Sequence, residues 1–287
     1  MLAIYKKEVR AYFNSMVGCV FLSFFLAIIG IYTWAYNFAG GVGNFEETLN
    51  SVSFLFVILI PILTMRIVAE ENRQKTDQLL YTAPVSIGRI ILGKYLAVLT
   101  LFLIGCAVIS VYPLILSRYG EIRLGLAYGG IVGFILLGAA YIAIGMFISS
   151  LTESQVISAV VSFLVMLLTY LIGSISTMLP AADTAQWMIL AIIFLLILCV
   201  SYYMMRNIIV VGIIGVIGEG AMLALYLAKS SAYEGLVPKI CEWLEVSGKF
   251  RNFAMGIIDY SAVVYYLSIV FLFIFLAIQI IRKKRFN

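Results

Sequence analysis

Apolar runs of membrane length, separated by short polar breaks, occupy almost the whole chain. Eight such runs, at 16–36, 51–69, 88–117, 126–150, 155–179, 186–205, 207–228 and 260–281, reach or approach the ~20 residues a helix needs to cross about 30 Å of hydrocarbon. None alternates with the period of two expected of a barrel strand. The pattern predicts an all-α, polytopic membrane protein with about eight transmembrane helices in a single domain over residues 1–287. The pair at 186–228 turns around Arg206 and Asn207 and reads either as two full spans or as a deep hairpin. An arginine left at the bilayer centre costs at least ~2.5 kcal/mol, which favours full crossing.

The polar breaks carry their own patterns. In residues 1–15, Tyr5, Val9, Tyr12, Phe13 and Met16 recur at helical spacing while Lys6, Lys7 and Arg10 fall on other faces. Such a segment reads either as a helix lying in the headgroup layer, an elbow before the first span, or as an ordinary positively flanked helix start. Its apolar continuation is of spanning length and lacks a small-residue cleavage site, unlike a signal peptide. The longest charged run is Glu70-Glu71-Asn72-Arg73-Gln74-Lys75-Thr76-Asp77-Gln78-Leu79-Leu80-Tyr81-Thr82-Ala83-Pro84. On a helix, Thr76, Leu79, Leu80 and Ala83 share one face, Arg73, Lys75 and Asp77 lie away from it, and Pro84 ends the turn. This stretch, 70–85, reads as an amphipathic helix that a soluble partner could grip, or as a loop joining two spans. Residues 37–50, with Gly40, Gly41, Gly43, Glu46 and Glu47, predict a short outer loop, and residues 229–259 one or two short helices, with Pro238 near a start and Gly248 near an end.

Composition narrows the class. Of 287 residues 64% are hydrophobic and 11% charged, against roughly a quarter charged in soluble domains. With the N-terminus inside, 13 of the 19 Lys and Arg fall on the cytoplasmic side and 6 outside, which satisfies the positive-inside rule and puts both termini in the cytoplasm. Histidine is absent and the four cysteines show no CxxC spacing, so imidazole triads, HExxH sites and thiolate metal sites are excluded. No chemistry for catalysis is expected of the chain, nor a bound cofactor, a metal or a nucleic-acid partner.

Three local features could carry chemistry. Gly88 to Tyr95 matches GxxxxGK but puts Tyr95 where a phosphate loop needs Ser or Thr, and it opens a span rather than following a strand. Arg89 and Lys94 there read as interfacial anchors. Glu219 is the one acid deep in an apolar run and is either a functional proton carrier or a protonated group bonded to a neighbouring helix. Gly212, Gly215, Gly218 and Ala221 beside it form a small-residue stripe suited to close helix contact. Glu153, in the short turn Leu151 to Gln155, either meets the same partner as the 70–85 stretch or is simply solvated.

Further residues resemble a known family. Met65-Arg66 with Ala69-Glu70-Glu71, Thr76-Asp77-Gln78-Leu79-Leu80, Pro84-Val85-Ser86 and Leu92-Gly93-Lys94-Tyr95 resemble the signature of type-2 ABC transporter permeases, most closely the gliding-motility and copper-processing types. The likeness extends to Ile4-Tyr5-Lys6-Lys7-Glu8 with Tyr12-Phe13-Asn14-Ser15, to Ile144-Gly145 with Ser149 to Gln155, and to Phe250–Phe253, Gly256-Ile257-Ile258-Asp259 and Val264-Tyr265-Tyr266-Leu267. The resemblance implies a coupling helix at 70–85 docked on a separate cytoplasmic ATPase that holds ATP and Mg, with an elbow helix at 1–15. It also implies helices at 229–259 on the outer face and a dimer with a second copy or sister permease. A further membrane subunit with an extracytoplasmic domain is a possible partner. The expected function is export across the bacterial cytoplasmic membrane; the alternatives are a proton-coupled carrier using Glu219 or a non-transporting anchor of a larger machine. The usual member has six spans, so the pair 186–228 is expected to be an insertion.

Overall fold

A computed structural model of the protein describes residues 1–74, 85–120, 122–180, 182–205, 208–228, 233, 235–257 and 259–286, without the side chains at 197, 200, 201, 203–205, 208–211, 285 and 286. The described residues contain no strand. The helices are α1 (Leu2–Asn14), α2 (Met16–Tyr32, continued by a π-helical Thr33–Ala39), α3 (Phe45–Val52), α4 (Leu55–Thr64), α5 (Ala69–Gln74), α6 (Ile87–Ile109), α7 (Tyr112–Leu116), α8 (Leu124–Leu151), α9 (Gln155–Met178), α10 (Asp183–Met205), α11 (Ile208–Ala228), α12 (Leu236–Leu244), α13 (Phe250–Ala254) and α14 (Tyr260–Phe286). The chain divides into two compact units, Met1–Tyr170 with Val246–Asn287, and Leu171–Glu245.

In the first unit α8 is the axis. It packs most extensively against α14 and also contacts α3, α4, α5, α6, α7 and α13, and 78% of its most apolar window is buried, against 22% for α9 and α14. Lipid tails are as apolar as leucine, so helices in a bilayer associate through close shape fit rather than escape from water. The sequence of α8 supplies that fit through glycine. Gly138 leaves the space that the Phe102 ring of α6 occupies, and Gly145 lies so close to Thr64 of α4 that no Cβ fits between them. Around this seam Phe25, Phe56, Phe102 and Phe134, one each from α2, α4, α6 and α8, form a fully buried aromatic core, with ring centroids 4.4 Å apart for Phe56–Phe134 and 5.5 Å for Phe56–Phe102.

Among the described residues five helices are long and apolar enough to cross a membrane: Met16–Ala39, Ile87–Leu116, Leu124–Leu151, Gln155–Met178 and Tyr260–Lys284. Phe45–Val52 and Leu55–Gln74 are long and apolar enough only when taken together, and here the expectation of one continuous span over 51–69 needs correction. The path from Phe45–Val52 to Leu55–Gln74 turns by 58°. At the bend the backbone ladder switches to i−3 bonds, Ser53 N–H to Asn50 O, Phe56 to Ser53 and Val57 to Phe54, and the Ser53 hydroxyl also donates to Asn50 O at 2.7 Å. A second interruption follows at residues 65–68, before α5. The loop expected over 37–50 is largely helical as well. Phe45 and Leu49 of α3 are fully buried, which holds that segment against the core.

Turns at the ends explain motifs that the local pattern left bare. Extended Ser15 separates α1 from α2. Gly256 adopts φ 78°, the left-handed region that favours glycine, and Asp259 then caps α14 by accepting the Ser261 N–H at 2.8 Å. The Asn252 amide, 2.9 Å from its other oxygen, holds the Asp259 carboxyl below the usual carboxylate range.

In the second unit α10 and α11 form a pair. The Phe194 ring of α10 covers Gly218 and Leu198 approaches Gly215, while Gly212 meets nothing within 4 Å. Two glycines of the expected stripe therefore make the contact and one does not. Trp187 stacks on Tyr226 at 5.4 Å near the other end of the pair. The described apolar parts of the pair are Asp183–Leu196 and Gly212–Ala228; Arg206 and Asn207, on which the choice between full spans and a hairpin turned, lie outside the described residues. Short helices occur within 229–259 as expected, with Pro238 in the first turn of α12 and Gly248 in the turn before α13.

The Gly145–Thr64 contact yields a test. Gly145→Val overpacks the seam and should destabilise the detergent-purified protein by about 1–3 kcal/mol, read as a lower thermal midpoint, and Thr64→Ala on top of it should restore part of the loss.

Candidate functional site

The polar residues of the first unit gather where the 65–68 turn interrupts the helix. A broken helix exposes backbone groups that need partners. Ser149, near the end of α8, supplies them. Its Oγ accepts the N–H groups of Val68 and Ala69 at 3.2 and 3.1 Å and donates to Met65 O at 3.2 Å. The Ile67 carbonyl is taken by Lys94 of α6, whose Nζ donates to it at 2.9 Å.

Lys94 is the centre of the site. Its ammonium has three protons to place, and besides Ile67 O it meets Glu8 Oε1 of α1 at 3.1 Å and Glu71 Oε1 of α5 at 2.9 Å. The side chain is 3% exposed. It is the eighth residue of α6, about 10 Å along the helix from its start. The reading of Lys94 as an interfacial anchor is therefore corrected: the ammonium points not to headgroups but into a cage that α1 and α5 close over it. Ile4 of α1 and the Met1 carbonyl just before it pack against Gly93 on this interface. Tyr5 and Thr100 share a hydrogen bond at 3.0 Å on the same α1–α6 interface. Lys7 adds an exposed contact to Glu71 at 3.3 Å, so two lysines and two glutamates balance.

A second link ties α1 to the same break. Tyr12 is buried and donates to Leu63 O at 3.1 Å. Burial pushes its phenol well above the ordinary range, so it stays a donor. The Arg66 guanidinium lies 5.4 Å from the centre of the Tyr12 ring and pairs through Nε with Glu70 at 3.0 Å. At the end of α8, Lys284 of α14 donates to Ser150 O at 2.9 Å and Asn72 of α5 to Thr152 O at 3.4 Å, cations and donors where a helix C-terminus offers free carbonyls. Both terminal helices thus meet at one end of the first unit.

The expected residues distribute unevenly. Glu70, Glu71 and Arg73 lie on α5, the first two within the network and Arg73 exposed. Lys75, Thr76, Asp77, Leu79, Leu80, Ala83 and Pro84 lie outside the described residues. Tyr5, Lys7 and Tyr12 bind into the site, whereas Lys6, Arg10 and Phe13 are exposed. Glu153 is exposed in the turn after α8, next to the Thr152 that Asn72 holds. Glu219 belongs to α11 of the second unit, and its Oε1 has no hydrogen-bond partner among the described residues. Sequence reasoning missed Lys94 and Glu8 as partners. The signal was a lysine well inside an apolar helix, a group that marks a functional position by default. Among the described residues no group of three or more Cys, Asp and Glu could hold a metal ion.

A family model described as ABC-2 family transporter protein matches residues 36–281. The chain belongs to the ABC-2 transporter family. It is accordingly a multi-pass membrane permease component rather than a catalytic subunit, and the matched interval takes in both the Lys94 region and the α10–α11 pair. No curated protein matches the chain. For an ABC-2 permease, the arrangement provides a mechanical rather than a chemical device: one buried cation clamps α1, α5, α6 and the 65–68 turn.

Removing one member of a buried ionic cluster strands the remaining charges and costs about 3–5 kcal/mol, whereas an exposed pair contributes ~0–1 kcal/mol. Lys94→Met should therefore lower the thermal midpoint far more than Lys7→Ala. Adding Glu8→Gln and Glu71→Gln to Lys94→Met should recover most of the loss; a triple variant no more stable than the single one would contradict the ionic account.

Proposed function

We propose that the chain is the permease subunit of a bacterial ABC exporter, working as a dimer with a second copy or a sister permease, with ATP and Mg held by a separate cytoplasmic ATPase. Residues 70–85 are its coupling helix, residues 1–15 its elbow, and both termini are cytoplasmic. The observation that carries the reading is the Lys94 cage, because Glu71, immediately before the 75–84 stretch, shares its cation with Glu8 of α1 and with α6. A push delivered to 75–84 by a closing ATPase reaches α5 first. Through Glu71 and Lys94 it acts on α1 and α6, and through the Ser149 bonds to Val68 and Ala69 on α8. The residues Met65-Arg66, Ala69-Glu70-Glu71 and Leu92-Gly93-Lys94-Tyr95 surround this cage and support kinship with the gliding-motility and copper-processing permeases. Thr76, Leu79, Leu80 and Ala83 form the docking face, with Arg73, Lys75 and Asp77 as its charged rim and Pro84 ending the helix, and Glu153 meets the same partner.

A second reading, a proton-coupled carrier, has one observation in its favour: the Glu219 oxygen without a partner among the described residues. Transport lost in Glu219→Gln with ATPase coupling intact would support it.

The permease reading is tested by pull-down of the ATPase on the purified permease. Charge reversal at Arg73 and Lys75 together with Leu79→Asp should release the ATPase while leaving the permease folded. Full retention of the ATPase by that triple variant would overturn the coupling assignment.

A further inference from the structure

At the other end of α8 lies a cavity of about 780 Å³ that the coupling machinery does not use. Arg123, just before α8, lines it, whereas Ser149 and the Lys94 cage sit at the helix's far end; 28 residues of helix separate the two by roughly 40 Å. Its lining carries both charges: Glu46 and Glu47 of α3 together with Arg123 and Arg251, beside Asn50 and Met255. Glu46 is only 5% exposed and packs against α8, where Gly130 leaves room for its stem. Yet among the described residues neither Glu46, Glu47 nor Arg123 has an oppositely charged group within 4.0 Å. The Glu46 carboxylate has its own backbone N–H and the more distant pull of Arg123 against the cost of leaving solvent, and a cation entering beside it lowers that cost further. The volume is that of a small-molecule site, about 300–1,000 Å³.

We propose that this cavity binds a small zwitterion, a molecule carrying an ammonium group and a phosphate or carboxylate a few bonds apart. The ammonium faces Glu46 and Glu47, and the anionic group takes charge-assisted hydrogen bonds from Arg123. A simple anion would meet the two glutamates and a simple cation the two arginines, so the mixed walls select for both charges in one ligand. The same chemistry is found in a phosphoethanolamine lipid headgroup and in a free phosphoethanolamine compound. The inference rests on the permease reading only in making the ligand a transport substrate. Binding itself is measured on the chain alone, so its failure leaves the ATPase pull-down standing, and the reverse.

The test is calorimetric titration of the full chain in phosphatidylglycerol nanodiscs with glycerophosphoethanolamine, and with glycerophosphoglycerol, which lacks the ammonium. The first should bind and the second should bind at least about tenfold more weakly, the equivalent of one lost charge-assisted contact. Arg123→Gln, at an exposed position, and the isosteric Glu46→Gln should each weaken the first by a similar factor, with unchanged thermal midpoints showing that both fold. Competition by phosphatidylethanolamine doped into the discs would identify the lipid as the source, and its absence the free compound. Equal affinity for both probes, undiminished binding by either variant, or no binding up to about 10 mM, near the weak end of specific recognition, would overturn the proposal.

Discussion

One buried ammonium organises the end of the bundle where both terminal helices meet. Lys94 has three protons and finds an acceptor for each, Ile67 O, Glu8 and Glu71, all within 3.1 Å. The cluster would be hard to sustain with any member missing, because a charge without a partner in such a setting costs several kcal/mol. Its geometry in turn depends on the broken helix: without the turn at 65–68, the Ile67 carbonyl would be spent within the helix and α5 would not bring Glu71 to the lysine. Ser149 makes the break tolerable by bonding the freed N–H groups.

The rest of the first unit can be read as support for that arrangement. The glycines of α8 bring α4 and α6 to close range, at Thr64 beside Gly145 and at Phe102 beside Gly138. The four-phenylalanine core then fixes α2, α4, α6 and α8 about a common centre. Rigid helices with one polar hinge suit a permease of the ABC-2 family, because a push at the hinge is passed on by elements that do not deform individually.

Helix content and five of the eight expected apolar spans were legible in the sequence because length and composition decide them locally. So was the close contact of Gly215 and Gly218, which spacing alone suggests. The bend at Ser53 was not, because Asn50, Ser51 and Ser53 mark a polar boundary without saying whether the helix stops or turns there, and the switch to i−3 hydrogen bonds decides it. Nor was the role of Lys94. Its depth of about two helical turns inside an apolar run was a readable signal, but which groups enclose the lysine is decided by the approach of α1 and α5. Glu8 was hidden for the same reason, as one more charge on a basic segment until its partner is known to be buried. The proposed docking face at 76–83 still rests on helical spacing and resemblance.

The central claim is that α1 and α5 move as one body because they share the Lys94 counter-ion. It is tested most directly by measuring the distance between spin labels at the exposed positions 10 and 73 in the ATPase-bound permease, with and without trapped ATP. A narrow distance distribution that is the same in both states, and that broadens in Lys94→Met, is the predicted result. A distance that changes between the two states while Lys94, Glu8 and Glu71 are intact would contradict it.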